Sequence, residues 1–178
     1  PKPPPPCNTG PTAHVKLLRL RNGIPAFSSM PLVYRLVNIS KRYIGNVLLQ
    51  SDHYLSTESG TAFDVMSDTR VFIALDGRHD DTDARAPPSF ARVGGEGALH
   101  LAFPNEDVRM KVYYRDYQAG SKVSFNIRGS DTIGVVFLGC PPEKGCSLHF
   151  TPVISVPNPA FDDDSDKLVF TNNGAELG

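Results

Sequence analysis

No apolar run in this chain is long enough to cross a bilayer, and no signal-peptide pattern is present. An excess of charge of one sign is missing too. Lys and Arg number 18 against 19 Asp and Glu, a formal net charge of -1. No global field therefore draws the chain to nucleic acid or to an anionic membrane. Cysteine is scarce, at three residues. Cys140 and Cys146 bracket Pro-Pro-Glu-Lys-Gly, and a disulfide there would staple a short turn, as suits an oxidising compartment. Zinc is the rival reading, but it needs about four ligands and only His149 lies close by. Cys7 is left over: free, bonded to another part of a parent chain, or bonded to a neighbour.

Catalytic signatures are lacking as well. The five histidines (His14, His53, His79, His100, His149) are scattered, and no serine sits in a nucleophile elbow. Gly94-Gly95-Glu96-Gly97 has neither the strand before it nor the helix after it that a phosphate loop requires. No candidate acid pairs with a recognisable base, so neither an enzyme nor a cofactor is expected.

What is abundant is punctuation. Sixteen prolines and fifteen glycines interrupt the chain every few residues, which disfavours long helices and favours short strands joined by turns. Pro1–Pro6 reads as an extended polyproline II segment, and residues 1–12 as a proline-rich linker. The segment resembles the hydroxyproline-rich spacers of secreted algal and plant cell-wall glycoproteins. The chain opens at Pro1 without methionine, so a processed protein or a segment of a longer one is expected. Residues 13–157 carry the strand signals, and residues 158–178 form an acidic tail with one apolar patch, Leu168 to Phe170.

The stretch from Ala62 to Arg78 organises the rest. Phe63 and Val65, then Val71, Ile73 and Leu75, alternate with smaller or more polar residues, the period of half-buried strands. Ser67-Asp68-Thr69 between them is turn-forming. The second strand ends at Asp76-Gly77-Arg78, where a sheet delivers side chains to its rim. Strand signals also cover Val15–Leu20, Leu32–Ser40, Tyr43–Leu49, Val108–Tyr114, Val123–Ile127 and a short run at Val153–Val156. In the segment Val108–Tyr114, Val108, Met110, Val112 and Tyr114 share one face, and Arg109, Lys111 and Tyr113 the other. Thr132–Leu138 is apolar throughout and reads as a central strand covered on both faces. About eight short strands with no internal repeat point to an all-β, antiparallel β-sandwich of jelly-roll or immunoglobulin-like type.

Residues Phe63-Asp64-Val65 and Asp68 through Arg78 match FxVxxDxxVYVAYDxR, the central element of a family of β-sandwich modules in secreted bacterial and fungal proteins. These modules are often attached to polysaccharide-degrading enzymes. Pro87-Pro88-Ser89-Phe90 stands where the family has a proline–aromatic PxWL loop, with phenylalanine in place of tryptophan. Tyr117-Gln118-Ala119-Gly120-Ser121-Lys122-Val123 resembles the later FxAGxVxLGxN element, and Tyr34 is the one tyrosine kept from the early YxxRxYxxxxxP motif. The resemblance spans residues 23–138 and implies a non-catalytic accessory module, secreted and extracellular, that binds carbohydrate or a glycoprotein surface. The near-zero net charge gives no reason to expect a nucleic-acid partner. A structural block of an extracellular wall, sheath or filament is the second expectation, with Cys7 and the proline run tying subunits together.

Four residues are the candidate ligand-binding or loop-ordering set: Asp76, Arg78, Tyr113 and Tyr117. Asp76 and Arg78, two apart at a strand end, can fork onto sugar hydroxyls or can pin the loop that follows. Tyrosines 43, 113, 114 and 117 can stack on sugar rings or fill the core. Asp80, Asp81 and Asp83, with Asp76, and separately the acids at 162, 163, 164 and 166, could supply oxygens to calcium, although the twelve-residue calcium loop is absent. Solvated acid runs are the ordinary outcome, and no metal is expected. Asn38-Ile39-Ser40 is a glycosylation sequon.

Overall fold

A computed structural model describes residues 16–27, 33–50, 61–94, 99–102, 105–128, 132–142 and 154–155. The proline run, the acidic tail, Cys7, Cys146 and the acids at 162–166 lie outside the described residues. In chain order the strands are β1 (Lys16–Arg19), β2 (Ile24–Pro25), β3 (Arg35–Val37), β4 (Val47–Gln50), β5 (Thr61–Val65) and β6 (Thr69–Asp76). After the single helical turn α1 (Thr82–Arg85) come β7 (Ala91–Arg92), β8 (His100–Ala102), β9 (Asp107–Tyr117), β10 (Lys122–Phe125), β11 (Gly134–Gly139) and β12 (Ile154–Ser155). Every pairing is antiparallel, so the all-β, antiparallel expectation holds. Twelve strands stand among the described residues, against the eight or so legible beforehand. No helix among them is long and apolar enough to cross a membrane.

Nine strands form one sheet, in the order β1-β4-β11-β6-β9-β8-β3-β2 with β7 added beside β9; β10-β5-β12 form a second. The large sheet is strongly curled, and chain connectivity requires it. Its two end strands, β1 and β2, are separated by only the four residues 20–23, which reach at most about 18 Å. Eight strands laid flat at about 4.8 Å spacing would put those edges about 33 Å apart. Gln50, buried in β4, accordingly donates its side-chain amide to the Pro25 carbonyl at 2.8 Å, joining strands near opposite ends of the sheet path.

The middle strands explain the curl. In β6, Val71, Ile73 and Leu75 enter one hydrophobic cluster and Phe72 and Ala74 the other. β11 divides in the same way, Val136 and Leu138 against Val135 and Phe137. A strand apolar on both sides must be covered on both sides. On one side the cover includes Phe63, Val65, Val123 and Phe125 from the small sheet. On the other, Leu36, Leu101, Ile24 and Tyr43 share the cluster, the curled end of the same large sheet closing over its own middle.

The bend falls at Met66-Ser67, with Thr69 already in β6, and β5 and β6 do not pair with each other. β5 pairs with β10 and β12, and β6 with β9 and β11, so this turn carries the chain from one sheet to the other. β11 lies between β4 and β6, the central position that its uncharged sequence suggested.

Candidate functional site

The rim after β6 is built inward. Asp76 is 1% exposed, and Arg78 grips it: Nε donates to Oδ1 at 3.0 Å, Nη2 to Oδ2 at 2.7 Å and the backbone amide to Oδ1 at 3.0 Å. The remaining Arg78 nitrogen, Nη1, donates to Glu106 at 2.7 Å. Burial alone would push the Asp76 carboxyl up; the Arg78 hydrogen bonds and charge outweigh it and hold the carboxyl below its usual range. Gly77 between the two is required by space, because a Cβ there would collide with the Arg109 carbonyl oxygen.

The acidic loop that follows is tied down residue by residue. The Thr82 hydroxyl contacts the Asp76 carbonyl at 3.0 Å and the His79 carbonyl at 2.7 Å. Asp81 accepts from Arg85 Nε at 2.9 Å, and Arg85 Nη1 reaches the buried Thr132 hydroxyl at 2.7 Å. Asp83 accepts from the Tyr113 hydroxyl at 2.6 Å and from Arg92 at 3.1 Å. The Tyr113 bond is the main reason the Asp83 carboxyl lies below its ordinary value; burial, then that same bond, push the Tyr113 phenol up. Phe90 packs into the core against Phe125 with ring centroids 5.4 Å apart.

Of the four candidate residues, Asp76 and Arg78 bond each other where this loop begins, and Tyr113 bonds Asp83 further along it, from the other face of the sheet. Tyr117 is 7% exposed and sits beside Phe90, a core side chain with no ring face to offer a ligand. Asp81 and Asp83 point to different cations, and no group of three or more metal-ligating side chains exists among the described residues. The calcium candidates do not converge. Asn38 is exposed at the end of β3 with φ of 50°, a left-handed conformation that asparagine tolerates better than most residues.

A different place has the shape of a binding site. A cleft of about 470 Å³ opens over the Phe72–Tyr114 face of the large sheet. Tyr43 and Phe72 form its apolar wall, their rings edge-on at 5.3 Å. Arg70 lies 4.2 Å over the Tyr114 ring and makes a two-pronged bond to Asp116, 2.6 and 2.8 Å, directly across from it on β9. Arg42 enters from the β3–β4 turn with its guanidinium 5.9 Å from the Tyr43 ring centroid. Asn46, the Arg92–Gly94 segment and the Cys140–Pro142 segment complete the lining. Cys140, at the end of β11, is disulfide-bonded, and its partner lies outside the described residues.

Arg42, Arg70 and an asparagine amide line the cleft with their donors, Arg92 lines it with its guanidinium turned to the Tyr113 side, and no carboxylate lines it among the described residues. It is donor-rich and has an aromatic wall. The sequence could not assemble it, because its parts come from positions 42–46, 70–72, 92–94, 114 and 140–142. One clue was available: Tyr114 alternates in phase with Val108, Met110 and Val112, which sets it on the same face as Phe72, its cross-strand partner. No family model, curated protein or solved structure matches the chain.

Proposed function

We propose that the chain is a non-catalytic extracellular module that binds carbohydrate in the cleft over Phe72 and Tyr114. The observation that carries this reading is the lining itself: Arg42, Arg70 and Asn46 present hydrogen-bond donors beside the Tyr43 and Phe72 rings. The cleft volume, about 470 Å³, falls within the usual range for small-ligand sites. Sugar hydroxyls and ring oxygens are acceptors, and guanidinium and amide groups supply matching donors. Stacking on Tyr114 plays little part, since Arg70 already covers that ring. An oxidising, extracellular setting is supported by the disulfide at Cys140 and by the exposed sequon at Asn38.

Titration calorimetry of the whole chain against a panel of cell-wall oligosaccharides tests the reading. Binding to at least one of them, abolished by Asn46→Ala together with Arg70→Ala while the melting curve stays cooperative, is the expected result. Silence across the panel, or binding indifferent to both substitutions, removes the cleft as a sugar site.

A further inference from the structure

The three cleft arginines are not equivalent. Arg70 is already neutralised by a two-pronged bond to Asp116. Arg92 bonds Asp83, and its guanidinium sits near the Tyr113 ring at 5.9 Å, on the opposite face of the sheet from Tyr114. Arg42 makes no ion pair with any described carboxylate; its guanidinium lies 5.9 Å from the Tyr43 ring centroid and its backbone amide donates to the Ser40 hydroxyl at 3.4 Å. Its guanidinium is exposed on the cleft wall.

Beside it is the Tyr43 hydroxyl: burial pushes that phenol up, and Arg42, by its charge and a side-chain hydrogen bond, pulls it part of the way back. The hydroxyl itself is buried and closed to a ligand. The exposed Arg42 guanidinium carries five fixed donors, more than one hydroxyl takes, and a guanidinium with donors to spare is a receptor for an oxyanion. No carboxylate lines the cleft among the described residues.

We propose that the sugar bound in the cleft is acidic, and that its carboxylate or sulfate group is seated on Arg42. This inference rests on the carbohydrate reading above and specifies its ligand class. A glycan is favoured over a nucleic acid because the chain has a net charge of -1 and the cleft offers no open aromatic face on which bases could stack.

The test compares oligogalacturonate, its fully methyl-esterified form and a sulfated galactan oligosaccharide of equal length, titrated into the whole chain and into Arg42→Gln and Arg42→Lys. The acidic sugar is expected to bind about 10- to 100-fold more tightly than the ester, the scale of one charged hydrogen bond. Arg42→Gln should erase that preference without changing the melting temperature, Arg42→Lys should keep part of it, and added salt should weaken it. Preference for galacturonate identifies a carboxylate as the seated group, and preference for the galactan a sulfate. Equal affinity for acid and ester overturns the acidic-sugar inference while leaving the carbohydrate reading intact. No binding to any of the three overturns the acidic-sugar inference, and silence across the wider cell-wall panel overturns the carbohydrate reading with it; a single-stranded oligonucleotide that binds as tightly as the best sugar overturns both.

Discussion

Tyr113 and Tyr114 are neighbours in β9 and face opposite sides of the sheet. Tyr113 reaches across thirty positions of chain to donate its hydroxyl to Asp83 at 2.6 Å, while Tyr114 lies under the Arg70 guanidinium at 4.2 Å. The period of two in a strand thus gives one tyrosine to loop order and the next to the candidate cleft. Tyr113→Phe should lower stability by about 1 kcal/mol, the worth of one hydrogen bond to a charged acceptor discounted for Asp83 being largely exposed. Tyr114→Phe should leave stability near the wild-type value. Urea unfolding of the two variants settles it, and equal losses would contradict this division.

Asp76 makes stability depend on acid. Its folded pKa is depressed, so its contribution is complete above the ordinary carboxylate value of about 3.9 and disappears as pH falls through the lower folded value. Unfolding midpoints measured from pH 7 to pH 2 should fall in that window. Asp76→Asn should start less stable at pH 7, and the gap to the wild type should narrow as pH drops. A gap constant with pH would mean that the carboxylate charge is irrelevant at this site.

The core offers a cleaner test. Phe137 has no exposed surface, stacks on Phe72 at 4.7 Å between centroids and meets the edge of Tyr43 at 5.1 Å. Phe137→Ala should cost about 3–5 kcal/mol, the range for emptying a buried aromatic site. A melting temperature unchanged by the substitution would show that the neighbours close the cavity without loss.

Cys140 is a disulfide cysteine, and the two candidates for its partner, Cys146 and Cys7, both lie outside the described residues. A five-residue spacer containing Pro141 and Pro142 favours Cys146. Closing so short a loop is worth about 2 kcal/mol in the chain-entropy account. Non-reducing peptide mapping should return the fragment joining Cys140 to Cys146, with Cys7 separate. A fragment joining Cys140 to Cys7 would sink the assignment.

Where the sequence was readable, local pattern and burial agreed. Val108–Val112 alternates because one side of β9 is covered there, the pattern breaking at Tyr113, which is buried on the other side, and Thr132–Leu138 lacks charge because β11 is enclosed on both sides. What stayed hidden was pairing. Ser67-Asp68-Thr69 announces a turn, yet the partners of β5 and β6 lie far downstream, β5 pairing with β10 and β12 and β6 with β9 and β11, and nothing local records that the turn changes sheets. The helical turn at Thr82–Arg85 was equally silent, being four residues held by Thr82, Asp81 and Thr132 and carrying no apolar period of its own. Arg42 gave no signal either. A lysine–arginine pair in a turn is ordinary, and only the curl of the sheet brings it over Phe72.

Arg78 decides what the rim is for. Its guanidinium holds Asp76 with three contacts and Glu106 with a fourth, so it joins the end of β6 to the residue just before β9. Removing it leaves a buried carboxylate with one backbone donor, the Arg78 amide, and two oxygens to satisfy. Arg78→Ala should therefore cost about 1–3 kcal/mol, less than a fully enclosed ion pair because the Arg78 side chain is 45% exposed. The loss should be local first. Thr82 is anchored to the backbone of Asp76, so loosening that strand end frees α1 and the residues leading to Phe90. Hydrogen exchange should show reduced protection over residues 79–90 in Arg78→Ala, with β11 unaffected. Sugar binding in the cleft should be unchanged, since Arg78 does not line it. The reverse outcome, intact protection with lost binding, would move the binding site to the rim.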